Sequence, residues 1–245
     1  MEENMDANTM TGRVKYGVIG AMTEEVEMLK KDMAITKTEE LYGLTFYEGM
    51  LVGRNAVLVY SGIGKVNASV TTSLLIDRFG CNSVIFTGVA GSLHNDIGIM
   101  DVVISEAVVQ ADFDLQALGY ELGRLAEFDT RDISADKALV ACAKKAAEKV
   151  ISARNVYTGL IATSDRFVSD EELKASLSET FGALCTEMEG AAIGQTAARA
   201  GVPFVIIRTI SDNASEKSAG QFDDFMGMAA RHSEEIILNM LSDLQ

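Results

Sequence analysis

Apolar positions along the chain fall into short β-branched runs separated by stretches with helical spacing. Val14–Gly20 (VKYGVIG) is a strand run ending in glycine, and Thr23–Lys31 (TEEVEMLKK) then turns helical, with Thr23 a candidate N-cap and acids suited to the helix dipole. Leu44–Val52 and Ala56–Tyr60 read as two strands around a Gly53-Arg54-Asn55 turn. The glycine turn Ser61–Lys65 feeds a helix over Val66–Phe79, and Ser83–Thr87 is a buried-type strand followed by a second glycine turn, Gly88–Ser92. Val102–Val109 is strand-like, and Asp136–Val150 an amphipathic helix with Leu139, Cys142, Ala143, Ala146 and Val150 on one side. Val156–Thr163 is a strand, Asp170–Leu177 a short helix capped by Ser169 or Asp170, and Ala183–Cys185 a short strand. Glu189–Ala200, Phe204–Ile210 and Phe222–Leu241 complete the pattern as helix, strand and helix. Strands alternating with helices over short glycine turns predict an α/β layered sheet, and the early hairpin makes that sheet mixed rather than purely parallel. No linker or repeat divides the pattern, so one domain is expected over 14–245, preceded by a polar lead-in over 1–13.

Composition narrows the function. The 21 Lys and Arg stand against 36 Asp and Glu, a net charge of −15, which excludes nucleic acid and anionic membranes as principal partners. Cys81, Cys142 and Cys185 are far apart and form no Cys-x-x-Cys pair, and residues 1–12 lack the basic and apolar regions of a signal peptide; together these predict a cytoplasmic protein with free thiols. His94 and His232 are the only histidines, so neither a clustered metal site nor a Ser-His-Asp triad is expected. Gly62-Ile63-Gly64-Lys65 fails the phosphate-loop pattern, with Val59 and Val66 at the required glycine and hydroxyl positions. No metal or cofactor is expected.

What remains is a set of carboxylates where strands end, the place where α/β sheets bind ligands. By position alone each has an ordinary reading too: Glu25 as an exposed first-turn acid, Glu187 and Glu189 as an N-cap with a solvated neighbour, and Asp212 as a turn cap after the apolar run VPFVII. Extended backbone at Glu187-Met188-Glu189 would send the two acids in opposite directions, one to a cavity and one to a structural partner.

GVIGAMTEEVEML, SGIGKVNA, TGVAGS, ATSDRFVS, CTEMEGAAI and VPFVIIRTISDNAS occur in this order from Val14 toward the C-terminal helix. Together they resemble the 5′-methylthioadenosine/S-adenosylhomocysteine nucleosidases of the nucleoside phosphorylase/hydrolase superfamily. The resemblance implies a three-layer α/β fold with a central mixed sheet curled into a partial barrel, a homodimer, and hydrolysis of an N-glycosidic bond that releases adenine from a thio-nucleoside. Carried over by motif, Asp212 is the general acid at purine N7 and Glu25 orients or activates water. Glu189 binds the ribose hydroxyls beside Met188, Phe167 stacks on adenine, and the Val168 backbone reads its edge. Met22, Ile63 and Phe222 line the ribose and 5′-thio pocket, Tyr120 reaches in from the partner subunit, and Arg208 and Glu187 hold the acids. Val89, Ala90 and Gly91 of the TGVAGS segment, with Ser211 and Ala214 around Asp212, complete the implied binding site. Val89 stands where the family often has Ser, and Leu118 where an aromatic often lines the 5′ pocket.

The chemistry suits this allocation. Bond cleavage develops positive charge on the sugar and negative charge on the departing base. A protonated carboxyl at N7 neutralises the base, and an ionised one favours the cationic sugar and activates water. The first turn, Gly20-Ala21-Met22-Thr23-Glu24-Glu25, holds two acids and no arginine, which suits water better than dianionic phosphate. Two other readings stand beside this one: a hydrolase or phosphorylase for another purine nucleoside or futalosine, and a non-catalytic nucleoside-binding protein.

Overall fold

The computed structural model describes residues 14–215 and 218–244. In chain order the elements are β1 (Lys15–Gly20), α1 (Thr23–Lys31), β2 (Met33–Leu41), β3 (Leu44–Leu51), β4 (Arg54–Tyr60), α2 (Lys65–Asp77), β5 (Ser83–Ser92) and β6 (Val102–Gln110). There follow β7 (Ile133–Ser134), α3 (Lys137–Val150), β8 (Val156–Thr163), α4 (Glu171–Phe181), β9 (Cys185–Glu187), α5 (Gly190–Arg199), β10 (Phe204–Asp212) and α6 (Ser218–Asp243). The sheet runs β10-β6-β8-β9-β5-β1-β4-β3-β2, and an additional β10–β5 pairing closes its first five strands into a barrel. Strands β1, β4, β5 and β10 run parallel to one another, while β9 meets β5 and β6 meets β10 in antiparallel sense. The sheet is mixed, as the early hairpin predicts.

Helices cover the sheet from two sides. Ala68 and Leu75 of α2 and Ala191, Ile193 and Ala197 of α5 share one core with the sheet. Val26 and Leu29 of α1, Leu139 and Ala143 of α3, and Ile236 and Met240 of α6 share the other. The apolar side expected for α3 is half realised: Leu139, Ala143 and Ala146 are buried, while Cys142 and Val150 are half-buried.

Several local expectations are corrected. Gly88–Ser92 is not a turn but the second half of β5, held on both edges by β10 and β9. Its small residues are there for space: a Cβ on Gly91 would stand 2.9 Å from Asp212 Oδ1 and 3.1 Å from the Ala214 Cβ. Thr23 is the first helical residue of α1 and Met22 its N-cap. The short strand lies at Cys185–Glu187 rather than 183–185, and α4 continues to Phe181 behind its Asp170 cap. Strand β2 was not predicted, because its residues after Met33 are mostly exposed and carry no apolar alternation.

Candidate active site

A cavity of about 200 Å³ opens where the ends of β1, β4, β5 and β10 meet the end of β9. Ala21 and Met22 form one wall, Val89, Ala90 and Gly91 of β5 the floor, and Met188 and Glu189 the opposite side. Ser211 and Asp212 enter from β10, Phe167 and Val168 from the loop after β8, Ile63 from the loop after β4, and Phe222 from α6. Phe167 and Phe222 meet edge to face with centroids 6.2 Å apart, and Phe167 is 46% exposed at the mouth.

Asp212 is aimed by a register slip. Strand β10 follows β5 in step from Phe204↔Val84 to Ile210↔Ala90, then bulges so that Asp212, not Ser211, faces Gly91. Its carboxylate is buried and accepts from Ser211 Oγ (2.9 Å) and the Ala214 amide (2.8 Å). Ala214 therefore acts through Asp212 and does not itself line the cavity.

The two acids around Met188 do divide into different tasks. Glu187, at the end of β9, accepts from Thr163 Oγ1, from the Glu189 (3.1 Å) and Gly190 (2.7 Å) amides, and from Arg208 Nη2 (2.6 Å). Those four bonds commit its carboxylate to structure. Glu189 accepts from the Gly64 amide at 2.8 Å, and Arg208 Nη2 lies 4.0 Å from its other oxygen. Gly64 presents that amide from a left-handed backbone (φ 96°), a conformation that costs glycine nothing. Burial, and then the neighbouring Glu187 charge, push the Glu189 carboxyl up to about 7 against the partial restraint of Arg208.

Arg208 lies outside the cavity lining and is completely buried beneath it, with its guanidinium 3.8 Å from the centroid of the Phe86 ring. Such a stacked, desolvated arginine suits a planar guanidinium and would not suit lysine.

Glu25 is not the exposed first-turn acid that its position suggests: it is 1% exposed. As the third residue of α1 it reaches back so that Oε2 accepts from the Ala21 and Met22 amides, both at 3.1 Å, the acid half of a capping box. It is held directly against the cavity-lining Ala21 and Met22 without itself being among the lining residues. Burial raises its carboxyl above the usual range, opposed first by the Arg208 charge and then by the Met22 amide, the Ser233 hydroxyl and the Ala21 amide. Tyr120 lies away from the cavity and is 38% exposed, on the same loop as the exposed Leu118. Among the described residues, no group of His, Cys, Asp and Glu is arranged to hold a metal ion.

Thr163 and Ser233 carry no sequence signal of a site, and Gly64 stands out in the sequence only within a segment that fails the phosphate-loop pattern. A hydroxyl at a strand end, a glycine before a helix and a serine in a helix are too common to mark a site; only the fold brings them to the acids.

Comparison with known proteins places these residues in a family. A sequence model of the phosphorylase superfamily matches residues 15–242. The 5′-methylthioadenosine/S-adenosylhomocysteine nucleosidase of Geobacillus kaustophilus is 45% identical over 230 residues, 94% of this chain and 97% of that protein. The crystal structure of the Neisseria meningitidis nucleosidase of the same name, in complex with methylthio-immucillin-A, superposes with a TM-score of 0.90 at 39% identity, covering 94% of this chain and 99% of that one. Futalosine hydrolase of Helicobacter pylori superposes with a TM-score of 0.89 at 36% identity, covering 94% and 98%. Both the superfamily match and the full-length identities agree with the motifs that converge on the cavity: the chain belongs to the phosphorylase superfamily, in its branch of 5′-methylthioadenosine/S-adenosylhomocysteine nucleosidases.

Proposed function

We propose that this protein hydrolyses the N-glycosidic bond of 5′-methylthioadenosine and S-adenosylhomocysteine, releasing adenine and the corresponding thio-substituted ribose. The observation that carries the reading is the separation of tasks among the buried carboxylates around one cavity. Asp212 stands at the end of β10 with its orientation fixed by Ser211 and Ala214, as a leaving-group acid at purine N7 requires. Glu189 keeps acceptor capacity toward the cavity and takes the ribose hydroxyls, beside Met188. Glu25, held at the cavity's edge by the amides of the cavity-lining Ala21 and Met22, orients the attacking water. Phe167 stacks on the base, the Val168 backbone reads its edge, and Met22, Ile63 and Phe222 enclose the sugar and its 5′ substituent.

Positive charge on the ribosyl transition state is favoured by the ionised acids, and each proton-transferring group contributes about 10²–10⁴-fold. Water rather than phosphate is the nucleophile. The cation nearest the acids, Arg208, is already committed to Glu187, and Arg166 stands on the loop that carries the base-stacking Phe167, so a dianion at the Glu25 side would be repelled. We further propose one domain from residue 14 onward, a cytoplasmic setting suited to the three free thiols, and a homodimer in which Tyr120 serves the partner's cavity. The exposed Leu118 and Tyr120 support that last reading.

The test is base release from methylthioadenosine, S-adenosylhomocysteine and inosine in phosphate-free buffer. Adenine should appear from both thio-nucleosides, and added phosphate should not accelerate it. No release from either overturns the reading. Because of the likeness to futalosine hydrolase, futalosine belongs in the same assay as a second substrate.

A further inference from the structure

Helix α6 turns an apolar stripe to the core, including Ala229, Ala230, Ile236, Ile237, Met240 and Leu241. In the middle of it stands Ser233, 1% exposed. A buried hydroxyl on a helix ordinarily bonds back to its own chain. In this protein Thr71, Thr72, Ser73, Thr196 and Ser242 all donate to the carbonyl four residues earlier. Ser233 does not: its Oγ has no hydrogen-bond partner of good geometry. Oε1 of Glu25 is in the same condition, buried and unpaired, while Oε2 is held by two amides. Helices α1 and α6 pack together, and the Ser233 hydroxyl is among the groups that favour the ionised form of this carboxyl. One buried donor and one buried acceptor, neither hydrogen-bonded, thus stand on the two helices of one packed pair. Each buried polar group without a partner calls for an explanation in the fold or in the site.

We propose that Ser233 is a positioning residue for the reaction, its hydroxyl donating to Glu25 Oε1 and so fixing the carboxylate toward the attacking water. Of the charged groups, Arg208 from β10 acts on Glu25; Glu234, next along α6, faces Asp32 and Lys31 instead. The inference rests on the reading of Glu25 as the water-orienting base.

Ser233→Ala separates this role from a packing role. Alanine is the better helix former, which offsets part of the lost hydrogen bond, so the fold should persist with at most a small drop in Tm. We expect kcat/KM for methylthioadenosine to fall about tenfold, the scale of a lost hydrogen bond to a charged group. The acid limb of its pH profile should move to higher pH, because losing a donor to the ionised form makes Glu25 easier to protonate. Ser233→Cys, a weak donor of similar size, should fall between the two. An acid limb that stays at its wild-type position, whatever happens to Tm, overturns the assignment. Glu25→Gln in the same assay distinguishes the failures: a Glu25→Gln enzyme that keeps its turnover removes the base, whereas an inactive one beside an indifferent Ser233→Ala removes only Ser233.

Discussion

Glu189→Gln should make the protein more stable and nearly inactive, and the gain in stability should grow with pH. In the fold, burial and the Glu187 charge hold the Glu189 carboxyl at about 7 instead of the usual 4.5. The unfolded chain sheds this proton near the usual value, so between the two pH values the folded state carries a proton that the unfolded state has lost. Stability therefore falls as pH rises through that window, and above it the fold bears the whole cost of an ionised buried acid. At 1.36 kcal/mol per tenfold shift that cost is about 3 kcal/mol, reduced to about 1–3 kcal/mol because the neighbouring acid shares the titration. Glutamine keeps an oxygen for the Gly64 amide and carries no charge. For a chain of this length 1 kcal/mol is about 2–4 °C in Tm. Calorimetric melts of both proteins at about pH 5.5 and 8.5 should show a gap that widens by several degrees at the higher pH, with the glutamine variant above wild type. Base release should fall steeply, since the ribose hydroxyls lose their anionic acceptor. A gap that does not change with pH, or a variant less stable than wild type at the higher pH, would refute the assignment of Glu189 as a strained, ligand-ready acid.

Asp212→Asn keeps the shape and an acceptor oxygen for one of the two donors, the Ser211 hydroxyl or the Ala214 amide, but has no carboxyl proton to give, so kcat should drop about 10²–10⁴-fold while inhibitor binding persists; steady-state kinetics with calorimetric titration of a thio-nucleoside analogue checks the split. Arg208→Met leaves the buried Glu187 and Glu189 without their cation and should cost about 3–5 kcal/mol in urea unfolding. That loss should deepen from pH 5.5 to 8.5, because Arg208 restrains the rise of Glu189. Gly91→Ala puts a Cβ 2.9 Å from Asp212 Oδ1, so kcat should fall far more than Tm; assaying both on one preparation tests whether the contact displaces the acid.

Residue pattern alone specified the alternation of strands and helices and the mixed sheet, because burial of one face leaves a period in the sequence. The same rule explains what it did not specify. Strand β2 is an edge strand with little buried surface, so it left no period, and Gly88–Ser92 looked like a turn because its residues were chosen for close approach inside a barrel. The ordered motifs marked which acids matter, but not how each is used. Locally, Glu25 and Asp212 are ordinary caps, and Glu187 and Glu189 a solvated pair.

Only the tertiary structure decided their roles. Packing of α6 over α1 takes Glu25 out of water, and the bulge opposite Gly91 turns Asp212 inward. The bonds from Thr163, Gly190 and Arg208 fix Glu187 in the framework and leave Glu189 to the ligand. Sequence determined which residues carry charge and which segments must be buried, since both follow from side-chain chemistry and spacing. The state of each charge depends on how much solvent is removed and which charges and donors arrive from distant elements, as Arg208 of β10 does for Glu25 of α1, and only the closed fold sets that.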